Sequence, residues 1–486
     1  MRLLMETLIK PLFWELSIAA IAIVVLIFGF YLFRQYAIVA IAYKAKILCS
    51  GVFVSQRDAI SVQNQDLLVD DLALLKYISA EINYQEQSVT TSVFGLIKRK
   101  AIFRPGLGCT LVNNFPQEKL LEQQTAYPQP DKLDLLPKLV ETEDLNPGID
   151  IAKLNTTVDI AFSEPNPNRL GRTRAVVVIY DGHIVAERYA EGFSSDTPLI
   201  GWSMTKSVIN ALIGILVYQG KLSLSDNKLL PEWSQPGDLR QDITLDQLLR
   251  MSSGLKFTES YTNLLEDCTI MLFNSNDAAS YAANKLLEAK PDTKWYYSSG
   301  TTNILSRIIR NTVGEADYFA FPRRALFNRI GMHSAILEPD ASGTFVGSSF
   351  MYATARDWAK FGWLYLQDGE WYGERILPEG WVKYSTTPTP SDPKQRYGAH
   401  FWLKFPPMFA STQVISPPLA NDMYIASGHQ AQFLTMIPSH KLVVVRLGLS
   451  QLPQSWDQEW FISQLQSAVL TKRESPHIGA KQGGEE

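Results

Sequence analysis

Ser203 and Lys206 stand three residues apart in Gly201-Trp-Ser-Met-Thr-Lys-Ser. On a helix that spacing puts both side chains on one face, with the amine in reach of the hydroxyl. A serine hydroxyl is a weak nucleophile and needs a neighbouring base. A lysine serves as that base only where burial or a nearby cation lowers its pKa. This pair opens an apolar helix that must pack inside, and a helix N-terminus leaves backbone N–H groups free for a developing oxyanion. The chemistry expected is acyl transfer, with Ser203 as nucleophile and Lys206 as general base. The same spacing recurs at Ser225/Lys228 and Ser391/Lys394, but in polar, turn-like stretches that read as surface. Ser225-Asp226-Asn227 reads as a decoy, because it lies in the loop just after the helix that Ser203 opens. A Gly-x-Ser-x-Gly nucleophile turn is excluded, because Thr205 stands where its second glycine belongs.

Two further groups join the pair. In Trp295-Tyr-Tyr-Ser-Ser-Gly a phenol near a lysine can share proton traffic. Tyr297 is chosen for that role, with Ser299 as a second polar contact and Tyr296 as a core-edge residue. In Ala426-Ser-Gly-His-Gln-Ala-Gln, Gly428, His429 and Gln430 lead into a strand that can supply a second backbone N–H to the oxyanion. His429 is positioned to meet substrate or to tune the lysine.

The set Ser-Met-Thr-Lys, Tyr-Ser-Ser and Gly-His-Gln-Ala-Gln, in that order, resembles the serine β-lactamase and penicillin-binding-protein superfamily. Within it the chain is similar to class C β-lactamase-related serine hydrolases of the 6-aminohexanoate-dimer hydrolase type. Residues 248–255, 347–369 and 437–448 support the likeness, which covers about residues 155–470. The resemblance implies an acyl-enzyme on Ser203, proton transfer by Lys206 and Tyr297, and release by water. It implies a small-molecule amide or ester substrate and no cofactor. Two departures narrow it. Ser299 replaces the asparagine of the usual Tyr-x-Asn motif, which weakens a β-lactamase reading. The third motif has no lysine, which argues against a D-Ala-D-Ala peptidase, and Ala431 stands where relatives often have glycine. The alternatives are a β-lactamase or esterase of the same superfamily, or a non-catalytic membrane-anchored binding protein with this fold.

The elements that must hold these residues can be read from periodicity. Residues 175–180, the turn Asp181-Gly182 and residues 183–189 form a hairpin pattern. A helix is expected from Ser203 to Gly220, since Met204, Val208, Leu212, Ile215 and Leu216 keep helical spacing. Helical segments dominate to about residue 370. A second hairpin spans 433–449, and a last helix 456–470. Strands at both ends of a helical block predict an α+β sandwich: an antiparallel sheet with helices on one face and a mostly helical subdomain beside it. This is the β-lactamase/transpeptidase-like arrangement, preceded by one transmembrane helix.

At 486 residues the chain exceeds one ordinary domain. Composition divides it into an N-terminal flank (1–16), a transmembrane anchor (17–33), a small mixed unit (43–115), a connecting arm rich in Pro, Asn and Gln (116–170), the hydrolase domain (171–470) and a disordered tail (471–486). Net charge is -4, so nothing points to nucleic acid. Three cysteines and six histidines form no CxxC, HExxH or mixed cluster, so no metal is expected. Residues 17–33 carry no charge and just reach bilayer-spanning length. Ala40-Ile41-Ala42 leaves a cleaved signal peptide as the alternative. Cys49 and Cys109 either pair or remain two buried thiols. The superfamily's export habit favours the disulfide, and a single-pass protein of the cytoplasmic membrane with an extracytoplasmic, periplasmic catalytic domain.

Overall fold

The computed structural model describes residues 2–123, 149–412 and 414–470. The tail expected at 471–486 and the middle of the arm, 124–148, lie outside them.

One helix, α1 (Arg2–Phe53), begins the chain. The stretch from Ser17 onward is long and apolar enough to cross a membrane. From Ala37 the helix is packed in protein instead. Its apolar residues there face an antiparallel sheet of β1 (Ser79–Asn83), β2 (Ser88–Val93), β3 (Ile97–Arg104) and β4 (Gly108–Leu111). The N-terminal unit therefore starts about six residues before the boundary composition suggested, and Ala40-Ile41-Ala42 lies inside its helix. The Thr91 hydroxyl donates to the Ile41 carbonyl at 2.7 Å. Cys49 and Cys109 are joined by a disulfide, with Cα atoms 6.1 Å apart, tying α1 to β4.

The arm is not all surface. Residues Ile151–Ala161 form a helix, α2, capped by the Asp150 side chain. Leu154, Thr157, Val158 and Ala161 are buried on one face. That spacing is helical, but the polar residues between them hide it in a composition count.

The C-terminal domain is built on a five-stranded antiparallel sheet. Its chain order begins with β5 (Thr173–Tyr180) and β6 (His183–Tyr189). The helices α3 (Thr205–Tyr218), α4 (Asp267–Asn274), α5 (Ser299–Val313) and α6 (Ala355–Leu366) follow. Then come β7 (Tyr424–Gly428), β8 (Gln432–Ile437) and β9 (Leu442–Gly448), and last α7 (Gln458–Leu470). The spatial order is β7-β8-β9-β5-β6. Both faces of this sheet are covered. Ala175, Val177 and Ile179 point into the core shared with α3 and α6. Val176 and Val178, their neighbours along the same strand, pack with Leu154 of α2 and Phe461, Ile462 and Leu465 of α7. The alternation is that of any strand, but with both sides apolar the run reads as continuous. The expectation of helices on one face is corrected to helices on both.

The N-terminal unit is locked to this domain by buried charge. Lys46 of α1 makes an ion pair with Glu338, and both side chains are buried. Glu338 also accepts from the Ser50 hydroxyl at 2.9 Å and from the Cys109 backbone N–H at 2.6 Å. Nearby, Asp66 receives Arg57 at 2.7 Å and also pairs with Arg174 at the start of β5. A single apolar core runs from Val39 of α1 through Trp202 and Trp358 to Leu447 of β9.

Candidate active site

The nucleophile candidate sits just before α3. A 3-10 turn, Trp202–Met204, leads into that helix. Trp202 takes φ +47°, a conformation a bulky residue adopts only when its surroundings impose it. Two neighbours do so. A Cβ on Gly201 would lie 2.3 Å from the Trp358 ring, so glycine lets α6 pack against the turn. The Trp202 indole N–H donates to the Gln430 side-chain oxygen at 3.1 Å, which fixes the turn to the hairpin after β7.

Lys206 lies one helical turn on, and its side chain is buried. Its ammonium donates to Ser203 Oγ at 2.9 Å, Ser299 Oγ at 3.0 Å and the Ser348 carbonyl at 2.9 Å. All three hydrogens of the amine are thereby placed on oxygen. Burial lowers the Lys206 pKa to about 8, against the opposing pull of Glu259 and, less, of Cys268. Near neutral pH a useful fraction of the amine is therefore unprotonated and able to take a proton.

Tyr297 reaches the same point. Its ring lies 4.9 Å from the Lys206 ammonium, and its hydroxyl is close enough to Ser203 for that side chain to pull its pKa down somewhat. Burial, reinforced by Glu259, holds the phenol far above its usual pKa, so it stays protonated and can donate. Tyr397 and Trp402 pack on it at 5.6 and 5.3 Å, giving the site an aromatic wall. Tyr296 has 36% of its surface exposed, and its hydroxyl accepts from the Glu259 backbone N–H at 3.3 Å.

Ser299 is placed at the start of α5, where Ser298 is the N-cap. Its hydroxyl accepts from Lys206 and donates to Glu259 Oε1 at 2.6 Å. Its backbone N–H donates to Glu259 Oε2 at 2.7 Å. Glu259 was not foreseen from sequence. It is a single carboxylate in a polar loop, and no spacing ties it to the other motifs. The Ser348 carbonyl was missed too, since a backbone group leaves no mark in composition. Cys268 completes this side, its Sγ 3.6 Å from Glu259 Oε1 and its thiol pushed well above the usual pKa by burial.

The third motif divides in two. Gly428 approaches the nucleophile turn so closely that a Cβ there would lie 2.2 Å from the Gly201 carbonyl oxygen. This brings the end of β7 alongside Ser203, where a backbone N–H can face an oxyanion. Gln430 uses its side-chain oxygen on Trp202 and is buried behind it. His429 stacks on Tyr261 at 4.6 Å and meets Trp202 edge-on at 5.5 Å. Burial lowers its pKa to about 4, so the ring is neutral. Lys206 makes its hydrogen bonds to Ser203, Ser299 and Ser348, and His429 stands apart from that set. Gln430 and Ala431 both have positive φ, at +61° and +62°. A left-handed pair is what a tight strand-to-strand turn needs, and it explains why a glycine suits position 431.

A family model described as Beta-lactamase matches residues 171–461. The 6-aminohexanoate-dimer hydrolase of Paenarthrobacter ureafaciens is 22% identical over 222 residues, which are 43% of this chain and 56% of that protein. The aligned region thus spans little more than half of that relative. A Bacillus anthracis structure assigned as a 6-aminohexanoate-dimer hydrolase superposes with a TM-score of 0.53 at 19% identity, covering 74% of this chain and 94% of that one. A structure assigned as a β-lactamase from Bacteroides dorei gives 0.52 at 17% identity, covering 66% and 98%. At these identities the structures establish the fold alone. The family match extends over more than half of the sequence and over every motif described above, and the chain accordingly belongs to the Beta-lactamase family.

Proposed function

We propose that the protein is a serine hydrolase that cleaves a small amide or ester through an acyl-enzyme on Ser203. Neutral Lys206 takes the Ser203 hydroxyl proton as Oγ attacks the carbonyl carbon. The tetrahedral oxyanion lies between the start of α3 and the end of β7. Tyr297 donates its proton to the departing nitrogen or oxygen and regains one from Lys206. Water then attacks the acyl carbon, its proton passing to Lys206, and the Ser203–acyl bond breaks as Oγ takes that proton back from Lys206, releasing the acid and restoring the neutral amine. The observation that carries this reading is the Lys206 amine, buried among Ser203, Ser299 and the Ser348 carbonyl with its pKa brought to about 8.

A linear amide, of the kind named for the Paenarthrobacter ureafaciens relative, is the favoured substrate class. Ser299 in place of the asparagine, and a third motif without lysine, support it over a β-lactam or a D-Ala-D-Ala peptide. The stretch 17–33 anchors the protein in the cytoplasmic membrane, with the catalytic domain outside the cytoplasm. The Cys49–Cys109 disulfide supports that side, since such bonds persist in oxidising compartments. The packed position of residues 40–42 supports an uncleaved anchor.

The test uses the full chain in detergent, with and without Ser203→Ala, and a p-nitrophenyl ester of a short acid. A burst of nitrophenol, with the acyl mass on the Ser203 peptide and neither in the variant, is the expected result. No burst and no adduct, with a penicillin and a linear amide also tried, would move the assignment to a binding protein.

A further inference from the structure

The turn between β2 and β3 carries Phe94, Gly95 and Leu96. Phe94 and Leu96 are each 84% exposed. Phe94 and Gly95 have φ of +53° and +69°, and a Cβ on Gly95 would meet nothing within 4 Å. A phenylalanine in the left-handed region is strained, and here the strained backbone presents its ring outward rather than into the core. Large apolar side chains paired at a hairpin tip ordinarily mark a contact surface.

What lies beside the tip identifies the contact. The Phe94 ring is 6.3 Å from the ring of Phe33, the last residue of the apolar stretch of α1. The exposed apolar surface of α1, from Ile18 to Phe33, is thus continuous with the tip. Cations surround the junction. Arg34 follows Phe33, Lys98 is exposed on β3, and Arg99 is near enough to Arg34 to feel its charge. Residues 88–104 contain no acidic side chain. Apolar side chains at one depth with arginine and lysine just above them match a bilayer interface, where acyl chains lie below anionic phosphates.

We propose that the β2–β3 turn is a second membrane-inserting element, with Phe94 and Leu96 entering the lipid beside α1 and Arg34, Lys98 and Arg99 at the lipid phosphates. This rests on the reading of residues 17–33 as a span. One helix alone leaves the domain free to rotate about its axis, and a second insertion point removes that freedom. The fixed face includes the loop that bears Glu259. The Tyr36 hydroxyl, three residues past Phe33, donates to Asn263 of that loop at 3.2 Å. On the same side, Arg99 donates to Asn274 at the end of α4 at 3.0 Å.

The experiment places one environment-sensitive nitrobenzoxadiazole label per chain, at Phe94→Cys, Ile27→Cys or Tyr372→Cys. Wild-type chain with its buried Cys268 serves as the labelling blank. Each full-length protein is reconstituted in phosphatidylcholine/phosphatidylglycerol vesicles, with and without lipids bearing a doxyl quencher near the headgroup or deep in the chain. The Phe94 label is expected to emit at shorter wavelength than the Tyr372 label and to lose intensity most to the shallow quencher, while the Ile27 label responds to the deep one. Quenching at Phe94 no greater than at Tyr372 would overturn the proposal. So would a shifted but unquenched Phe94 label in single-copy nanodiscs, which would assign the tip to a protein contact. An unquenched Ile27 label would remove the span and the proposal with it. None of these readings depends on Ser203, so the hydrolase assignment stands or falls separately.

Discussion

Lys206 is held by three oxygens, and only one of them belongs to the nucleophile. The other two orient the amine, and Ser299 passes its own hydrogen bond on to Glu259. Because the base works only when neutral, acylation should rise with pH and level off above an apparent pKa near 8. Glu259 raises the lysine's pKa, so Glu259→Gln should move that rising limb to lower pH while keeping an acceptor for Ser299. A pH profile of kcat/KM on both proteins checks this, and an unmoved limb would remove Glu259 from the site's electrostatics. Tyr297→Phe should slow acyl transfer by about two to four orders of magnitude, the usual worth of a general acid. Tyr296→Phe should do little, since its ring is part-exposed and its hydroxyl accepts a long hydrogen bond, 3.3 Å, from the Glu259 backbone N–H. Comparable losses in single-turnover assays of the two would sink the Tyr297 assignment. The closeness of Ser203 and Lys206 was legible from their helical spacing, and Tyr297, picked out through its motif, also lies beside the amine. Glu259 was not legible, because a loop carboxylate is brought in by tertiary packing and any polar loop has one. Gln430 was grouped with Gly428 and His429 as a substrate- or oxyanion-binding residue, and its side chain braces Trp202, a contact between distant segments that the sequence does not mark.

Helices and strands were legible in proportion to how one-sided their burial is. The hairpin of β5 and β6 was marked by its Asp-Gly turn, and α3 by its apolar positions. α2 was lost in the arm because four buried residues were diluted by polar ones. Between elements, the sequence is silent about Lys46 and Glu338, which are far apart in the chain and meet only in the folded protein. Glu338→Ala would leave a buried lysine charge, the Ser50 hydroxyl and the Cys109 N–H without their acceptor. A loss of about 3–5 kcal/mol is expected, as for other broken buried pairs. Denaturant unfolding checks it, with Glu338→Gln recovering part because it restores an acceptor. A loss below about 1 kcal/mol would place the pair among interactions whose attraction only matches their desolvation.

At the scale of the whole molecule, composition divided the chain where burial does not. Residue types suggested a small mixed unit at 43–115, but types do not say which partner a side chain is buried against. Val39, Ile41 and Leu48 of α1 share one core with Trp202 and Leu447. A chain of residues 171–486 should therefore fail to unfold cooperatively. One of residues 35–486, which keeps the packed part of α1, should melt in a single transition. Circular dichroism melts of both check this, and a cooperative melt of the shorter chain would make the unit an accessory. The unbroken helix has a further consequence for how the proposed hydrolase would meet its substrate. Since α1 passes from its apolar stretch into the core without a flexible segment, the domain has no leash on which to swing. With residues 17–33 in the bilayer, as proposed, Ser203 would ride at a constant height over the lipid, and its search would be a drift in two dimensions. A substrate outside that thin layer must come to the protein, whereas one confined to the layer is met at a rate set by lateral diffusion.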